Sequence, residues 1–361
     1  MTCEIIAEAG VNHNGSIDLA KGLIDIAAEA GADVVKFQTF AADRLVSSSA
    51  KKGAYQQKTT GSEGGQLEML RRLELKESDY ATLLSHCERK GITFLSTPFD
   101  LLSAIFLVRE LGLTRIKIPS GEVTNLPYLV ELGRLGSTFI LSTGMCCIGD
   151  VELALGALAF GKFGSRLPPS PEAFIEILAD ADVRAFLRAS TTILHCTTEY
   201  PAPIESVNLR AMTTLGQAFD VPYGFSDHTE GVEIPVAAAA LGATIIEKHF
   251  TSDRDLPGPD HKASLEPSQL KLMIQMIRNV STSLGSPLKF SSSAETANKK
   301  IARKVILAAR PILSGAVIKE SDLSIKRSAK GLSPAHFWDI VESKAVRNFA
   351  VDEPIVLQDD K

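Results

Sequence analysis

Two histidines each end a run of apolar residues, and together they could hold a metal ion. His228 lies in the segment GFSDHTEG, and His249 lies in the segment EKHF. If the two runs are neighbouring parallel strands, about 4.8 Å apart, both imidazoles can reach one ion. Nitrogen ligands with open positions suit a divalent first-row metal, to which Glu8 or Asp260 could add oxygen. The spacing alone leaves open the other interpretation, that both histidines are polar rim residues without a metal.

Two lysines occur inside apolar runs, Lys36 in VVKFQ and Lys117 in RIKIPSG. A lysine there is costly unless an anion pairs with it. That anion is either a carboxylate of the protein, such as Glu8 or Glu122, or the phosphate or carboxylate of a ligand. Five hydroxyl residues at the ends of apolar runs could donate further hydrogen bonds: Thr97, Ser120, Ser142, Thr198 and Ser226. The set predicts a site for a small, multiply charged anion.

The remaining histidines and cysteines suggest no second site. His195 and Cys196 are consecutive in a predicted strand, so their side chains point to opposite faces and do not form a catalytic dyad. We expect Cys196 to pack against a helix. His13 lies in an NHNG turn that follows Glu8. Three other histidines are predicted to be surface or structural residues: His86, His261 and His336.

Eight short apolar runs must position these residues, and a helical pattern follows each of them. The runs cover 3–10, 33–40, 92–99, 115–122, 139–145, 192–200, 221–229 and 244–251. Continuous hydrophobicity is typical of parallel strands that are buried on both faces. Eight such units in about 280 residues predict an α/β fold, a (β/α)8 TIM barrel with its site at the carboxyl ends of the strands. A doubly wound sheet is the alternative, but no GxGxxG turn follows the first run.

The pattern changes after the eighth unit, which predicts a second domain. We expect a barrel over 1–283, a Gly/Ser/Pro/Lys-rich linker over 284–301 and a small domain of short strands over 302–361. Within the barrel, insertions at 41–76 and 162–190 could flank the mouth.

Composition excludes several classes of protein. A net charge of -5 argues against a large non-specific nucleic-acid surface. No apolar run reaches the roughly 18 residues of a membrane span, and the N-terminus lacks the basic region of a signal peptide. Five cysteines without a CxxC motif predict a reduced, cytoplasmic protein. The adjacent Cys146 and Cys147 are assigned no role.

The chain resembles the sialic acid synthases, which include N-acetylneuraminate and legionaminic acid synthases. The similarity lies in nine segments that follow in order: AEAGVNHNG, KFQTF, STPFD, KIPSGE, LSTGM, HCTTEYPAP, GFSDHT, EKHFT and GPDHKASLEP. The resemblance implies a TIM barrel that condenses phosphoenolpyruvate with an N-acetylated mannosamine-type sugar, followed by an antifreeze-like (SAF) domain. It implies a divalent metal, commonly Mn²⁺, with Mg²⁺ or Co²⁺ as alternatives. It also implies a domain-swapped homodimer, in which each antifreeze-like domain caps the barrel of the other subunit.

The same resemblance assigns roles to residues. His228 and His249 would hold the metal, and Glu8 would act with them in catalysis as a proton shuttle. Residues implied to bind phosphoenolpyruvate are Lys36, Thr97, Lys117, Ser120, Ser142, Thr198 and Ser226. Residues implied to bind the sugar are Gln38, Glu122, Tyr200, Asp260 and Arg327, the last from the other subunit.

Two departures from the family pattern leave the identity of the sugar substrate undetermined. Thr198 stands where family members that make N-acetylneuraminate often have Asn, and Arg327 is followed by Ser-Ala rather than Pro-Gly. The product is therefore N-acetylneuraminate or legionaminate, with a pseudaminic acid synthase as a further alternative. A metal-dependent TIM-barrel isomerase or hydrolase is the alternative of another class, although it would tend to show more carboxylate ligands. A carbohydrate- or ice-binding protein would leave the eight polar strand ends unexplained.

Overall fold

The computed structural model describes residues 3–61 and 63–357, and the chain divides into two units at Gly285. The first unit contains eight strands, which coincide with the eight apolar runs of the sequence. They are β1 (Glu4–Gly10), β2 (Val34–Thr39), β3 (Thr93–Pro98), β4 (Arg115–Ile118), β5 (Thr138–Ser142), β6 (Thr191–Cys196), β7 (Tyr223–Asp227) and β8 (Ile245–His249).

The strands form one parallel sheet in the order β3-β2-β1-β8-β7-β6-β5-β4. The first and last strands of the unit are therefore neighbours, and Glu8 of β1 lies opposite His249 of β8. This arrangement confirms the predicted α/β barrel.

Helices follow the strands, and most of them cover the outside of the sheet. They are α1 (Ile17–Ala30), α2 (Ala42–Leu45), α3 (Ala54–Thr60), α4 (Gln66–Arg71), α5 (Glu77–Lys90), α6 (Leu101–Ile105, continued by a π-helical turn at Phe106–Glu110), α7 (Leu126–Leu135), α8 (Ile148–Phe163), α9 (Pro171–Ile177), α10 (Ala181–Ser190), α11 (Arg210–Phe219), α12 (Glu233–Ala240) and α13 (Pro267–Leu284). In α1, the Ser16 side chain caps the first turn, and Gly31 ends the helix in the left-handed conformation that glycine adopts most easily.

The barrel interior changes from apolar to polar along the strands. One level is filled by Ile6, Val34, Leu95, Ile140, Leu194 and Ile245. Two residues further along the same strands stand Glu8, Lys36, Thr97, Ser142, Cys196 and Glu247, all of them buried. Because side chains alternate between the two faces of a strand, this second set faces the interior at the next level, towards the carboxyl ends of the strands.

Cys196 therefore faces the barrel interior, and the expectation that it packs against a helix is wrong. Its Sγ lies 3.2 Å from the Oγ of Ser120. His195 has the outward orientation, and its Nε2 lies 2.7 Å from the carbonyl oxygen of Val207. The two side chains point to opposite faces, as the sequence predicts.

The second unit is a small β-rich body with its own core. Helix α14 (Thr296–Ala302) precedes an antiparallel pair, β9 (Lys304–Ala308) and β10 (Leu323–Arg327), and a short helix α15 (Phe337–Ile340) follows. Its core is formed by Ile306, Ala308, Ile312, Ile318, Ile340, Ala345, Phe349 and Ile355. Most of α14 lies inside the stretch predicted as a linker, so that stretch is partly helical. Within residues 3–61 and 63–357, every helix is too short or too polar to span a lipid bilayer.

Candidate active site

A cavity of about 360 Å³ opens at the carboxyl ends of the barrel strands. Thirteen of the fifteen residues that the sequence assigns to the site line it: Glu8, Lys36, Gln38, Thr97, Lys117, Ser120, Ser142, Thr198, Tyr200, Ser226, His228, His249 and Asp260. They come from the eight strands or from the loops that follow them. The parallel barrel thus brings together side chains that lie up to 252 positions apart, the separation of Glu8 and Asp260.

Two ion pairs form the floor of the cavity. The Nζ of Lys36 lies 2.7 Å from Glu8 and 3.7 Å from Glu247, and the Nζ of Lys117 lies 2.7 Å from Glu247. All four side chains are almost completely buried. We refer to these four residues as the ion-pair floor. Of the two interpretations of the lysines, internal pairing thus describes both in this structure, although Lys117 pairs with Glu247 rather than with Glu122.

Three groups of the ion-pair floor have pKa values that are shifted in different directions. Burial raises the pKa of Glu8 to about 7, although the charge of Lys36 opposes the shift. Burial acts in the same direction on Glu247, but the charges of Lys117 and Lys36 outweigh it and lower the pKa of that carboxyl. Burial lowers the pKa of Lys117. Glu8 can therefore exchange a proton near neutral pH, which is what a general acid or base requires.

Hydroxyl groups surround this floor. The Nζ of Lys36 donates to Thr97 at 3.0 Å, and Ser226 donates to Glu247 at 2.9 Å. Ser120 accepts a hydrogen bond from the backbone of Gly144 at 2.9 Å. The buried Oγ of Ser142 has no hydrogen-bond partner among the described residues. A buried polar atom of this kind normally has a partner, so Ser142 is available to bind a ligand oxygen.

The two histidines meet at the ends of β7 and β8. Their ring centroids are 5.7 Å apart, and the ring of Tyr200 packs on His228 at 4.2 Å. The Nδ1 of His228 donates to the carbonyl oxygen of Thr197 at 2.6 Å, so its Nε2 carries the free lone pair. The Nδ1 of His249 is buried, with no hydrogen-bond partner in the described part of the chain.

Burial keeps both imidazoles neutral, which is the form that binds a metal. Burial lowers the pKa of His228 to about 4 and lowers that of His249 well below its usual range. Over residues 3–61 and 63–357, no third histidine, cysteine, aspartate or glutamate completes a cluster with them. The pair thus fits a divalent ion that takes its other ligands from substrate or water. The structure does not bring Glu8 or Asp260 into a metal-binding group with the pair.

A buried ion pair on the outer side of β7 and β8 fixes the position of both histidines. Lys248 precedes His249, and its Nζ bonds Asp227, which precedes His228. Asp227 also accepts hydrogen bonds from the backbone and the hydroxyl of Thr229 at 2.9 and 2.8 Å. The sequence shows both charges but gives no sign that they pair behind the histidines.

Two of the assigned residues do not line the cavity. Glu122 lies in a 3₁₀ turn after β4, where it accepts a hydrogen bond from Asn125 at 2.6 Å. It lies five positions after Lys117, so even continued strand alternation would place it on the opposite face, and it does not line the cavity. Arg327 is an exposed residue of β10 in the second unit.

Two further sugar-binding assignments fall within the cavity. Gln38 donates to Glu8 at 3.3 Å. Asp260 is buried, and this burial raises its pKa to about 6. Both side chains line the same cavity as the ion-pair floor.

The histidines without an assigned role are structural or exposed. His13 is buried beside Phe37, and burial lowers its pKa to about 4. His261 is fully buried, and its Nδ1 lies 2.7 Å from the Oγ1 of Thr251. His86 pairs with Asp25 on the outer helices, and His336 is exposed.

The two predicted insertions differ in their relation to the cavity. Residues of the 41–76 insertion line it, among them Leu45, Gln56 and Met69. The 162–190 insertion contains α9 and α10, which contact α8, and none of its described residues lines the cavity. Only the first insertion therefore flanks the site.

Comparison with known proteins places these features in a family. A sequence model of the NeuB family matches residues 23–289. The N,N'-diacetyllegionaminic acid synthase of Campylobacter jejuni is 46% identical over 97% of this chain and 98% of its own length. The enzyme of the same name from Legionella pneumophila is 42% identical over 97% of this chain and 92% of its own length. A crystal structure of the sialic acid synthetase of Leptospira borgpetersenii, 30% identical, superposes with a TM-score of 0.66 and covers 82% of this chain and 90% of that one.

We predict that Glu247→Gln lowers the free energy of unfolding by about 3 kcal/mol, because it leaves Lys117 buried without its carboxylate partner. Urea unfolding measures the difference. Glu122→Gln is the matched control, since it changes a half-buried carboxylate outside the cavity and should stay within about 0.5 kcal/mol of the parent protein. Equal stability of the two variants would contradict a structural role for the Lys117–Glu247 pair.

Proposed function

The chain belongs to the NeuB family, and from this membership we propose that it is a synthase that condenses phosphoenolpyruvate with an N-acetylated mannosamine-type aldose. The products are a nonulosonic acid of the N-acetylneuraminate or legionaminate type and phosphate. The observation that carries the proposal is the cavity itself, because it unites thirteen residues that the family motifs select. Such an enzyme is a transferase that forms a carbon–carbon bond.

Phosphoenolpyruvate fits the ion-pair floor and its hydroxyl groups. Its carboxylate and phosphate need cations and hydrogen-bond donors in a site shielded from water. Lys36 and Lys117 supply the cations, while Ser142 supplies a hydroxyl that has no other partner in the described structure. Thr97, Ser120, Thr198 and Ser226 line the same cavity and would donate further bonds. The lysines would then exchange carboxylates of the protein for anionic oxygens of the substrate.

The paired imidazoles of His228 and His249 would hold a divalent ion, with Mn²⁺ as our first choice and Mg²⁺ or Co²⁺ as alternatives. A bound ion would supply Lewis-acid polarisation of the sugar aldehyde. The hydrogen bond from His228 to Thr197 orients its ring, as partners of metal-binding histidines commonly do. Tyr200 packs on His228 and excludes water from that side.

Glu8 is the proposed proton carrier of the reaction. C3 of phosphoenolpyruvate attacks the aldehyde carbon, and the protonated carboxyl of Glu8 can give its proton to the aldehyde oxygen as the new bond forms. Water then adds at C2, and the resulting tetrahedral intermediate expels phosphate by cleavage of its C–O bond to leave a ketone. The raised pKa of Glu8, about 7, permits it to act as an acid and then as a base.

The contacts to the sugar would come from Gln38, Tyr200 and Asp260. All three line the cavity beside the histidines and Glu8. Glu122 does not line the cavity, so we do not include it among the residues that contact the sugar.

We also propose that the enzyme is a homodimer in which Arg327 from one copy reaches the sugar held by the other. Every described residue that lines the cavity belongs to the first unit, while Arg327 is exposed on β10 of the second. An arginine from a second chain would close the mouth and exclude water from the bound substrates.

A cytoplasmic location is part of the proposal, because all five cysteines are free thiols, as is typical of proteins kept in a reducing compartment. Fractionation of cells that produce the protein tests it, and recovery in an oxidising compartment would contradict it.

We expect release of phosphate from phosphoenolpyruvate only when an N-acetylated mannosamine-type sugar and a divalent metal are both present. The assay uses N-acetylmannosamine and 2,4-diacetamido-2,4,6-trideoxymannose, before and after removal of metal with a chelator. His228→Gln should lower kcat at least about 100-fold, because a metal ligand is lost. His86→Gln, outside the cavity, is the control and should keep full activity. Sugar-independent release, or an active His228→Gln, would contradict the proposal.

Mixed dimers test whether Arg327 acts in the active site of the other subunit. Arg327→Ala and His228→Gln should each be nearly inactive alone. A heterodimer contains one intact site if Arg327 acts across the dimer, so subunit exchange should recover up to about a quarter of the parent activity. No recovery, although mass spectrometry shows that heterodimers form, would contradict the crossing.

A further inference from the structure

One side of the cavity is a continuous apolar surface, which we name the apolar wall. Its members form a hydrophobic cluster of their own, separate from the barrel core: Val11, Phe40, Leu45, Met69, Leu70, Leu73 and Phe99. Every one of them also lines the cavity. They come from the 41–76 insertion and from the residues that follow the ends of β1, β2 and β3, beyond the strand positions that carry Glu8, Lys36 and Thr97.

The apolar wall carries no positive charge. Among the described residues that line the cavity, the lysines and arginines are limited to Lys36 and Lys117, and both lie in the ion-pair floor with carboxylate partners. Gln56 and Gln66 are polar lining residues from the same insertion, and an amide can bond an acetamido group. The cavity thus suits a ligand whose one end is anionic or reactive and whose other end carries methyl groups.

On the basis of the proposed function, we infer that the apolar wall contacts C6 of the sugar and selects a 6-deoxy aldose. The aldehyde carbon C1 must meet phosphoenolpyruvate beside the lysines and histidines. C6 is the far end of the open chain and is therefore directed away from the floor. There the wall offers a methyl group dispersion contacts and burial.

A hydroxyl or phosphate at C6 is disfavoured by the same surface. A hydroxyl against apolar side chains loses its hydrogen bonds to water and gains none in return. A phosphate held against the wall would also lack a cation there, since the lysines that line the cavity lie in the ion-pair floor and not in the wall. We therefore expect the order 6-deoxy, then 6-hydroxy, then 6-phosphate, with an advantage of about 10- to 100-fold for the first over the second.

The test compares N-acetylmannosamine with its 6-deoxy analogue, which differs by one oxygen atom. Phosphate release is measured with saturating phosphoenolpyruvate and Mn²⁺, and N-acetylmannosamine 6-phosphate is the third substrate. The parent protein should show a kcat/KM about 10- to 100-fold higher for the 6-deoxy sugar than for N-acetylmannosamine.

Met69→Gln places an amide in the wall and should reduce this ratio at least about 5-fold, mainly through the 6-deoxy sugar. Met145→Gln is the matched control, because Met145 also lines the cavity but lies after β5, outside the wall, and is 73% exposed. Met145→Gln and the conservative Met69→Leu should keep the parent ratio. An unchanged KM for phosphoenolpyruvate and an unchanged Tm in Met69→Gln separate a local effect from unfolding.

The outcomes distinguish a failure of this inference from a failure of the proposed function. Equal kcat/KM for the two sugars in the parent protein, or a Met69→Gln variant with the parent ratio, would overturn the wall as the specificity element. Phosphate release from either sugar would still uphold the synthase. Release with none of the three sugars, nor with the 2,4-diacetamido sugar, would contradict the proposed function and this inference together.

Discussion

The site depends on four charges buried in the interior of a barrel. Glu8, Lys36, Lys117 and Glu247 lie directly above a layer of aliphatic side chains, where an unpaired charge would cost several kcal/mol. They are tolerated because each lysine has a carboxylate within 2.7 Å. Four different strands deliver these groups, so the register of the sheet must hold for the pairs to form. A shift of one residue in any of these strands would turn its charge outwards into an apolar helix interface.

The remaining parts of the site follow from that layer. Gln38, Thr198 and the histidine pair lie further along the same interior faces. On the outer faces of β7 and β8, the ion pair between Asp227 and Lys248 links the two strands behind the histidines. The 41–76 insertion adds the apolar wall over one side. The mouth is therefore divided into a charged floor, a pair of neutral imidazoles and a hydrocarbon surface. This division matches a reaction that joins a small, multiply charged anion to a sugar with methyl-bearing substituents.

Much of the fold and of the site was predictable from the sequence, because side chains along a strand alternate between its two faces. The eight apolar runs and their polar ends predict the barrel, and the motif residues on those ends meet in the cavity. The same period could have identified Glu247, since it shares a face with Ile245 and His249, and it could have shown that Cys196 faces inwards with Leu194. Glu122 was assigned from the family motif alone; it lies an odd number of positions after Lys117, and it does not line the cavity. The apolar wall could not be predicted, because the sequence pattern of a short insertion helix does not show whether its hydrophobic residues face a core or a cavity.

The central claim is that the ion-pair floor binds phosphoenolpyruvate, and calorimetric titration of phosphoenolpyruvate without sugar tests it most directly. The parent protein is compared with the double variant Lys117→Met/Glu247→Gln, which removes both charges of one pair and so avoids leaving either buried alone. The account predicts a folded double variant whose Kd for phosphoenolpyruvate is about 10- to 100-fold weaker, the effect of one lost charge-assisted contact. An unchanged Kd in a folded variant would contradict it.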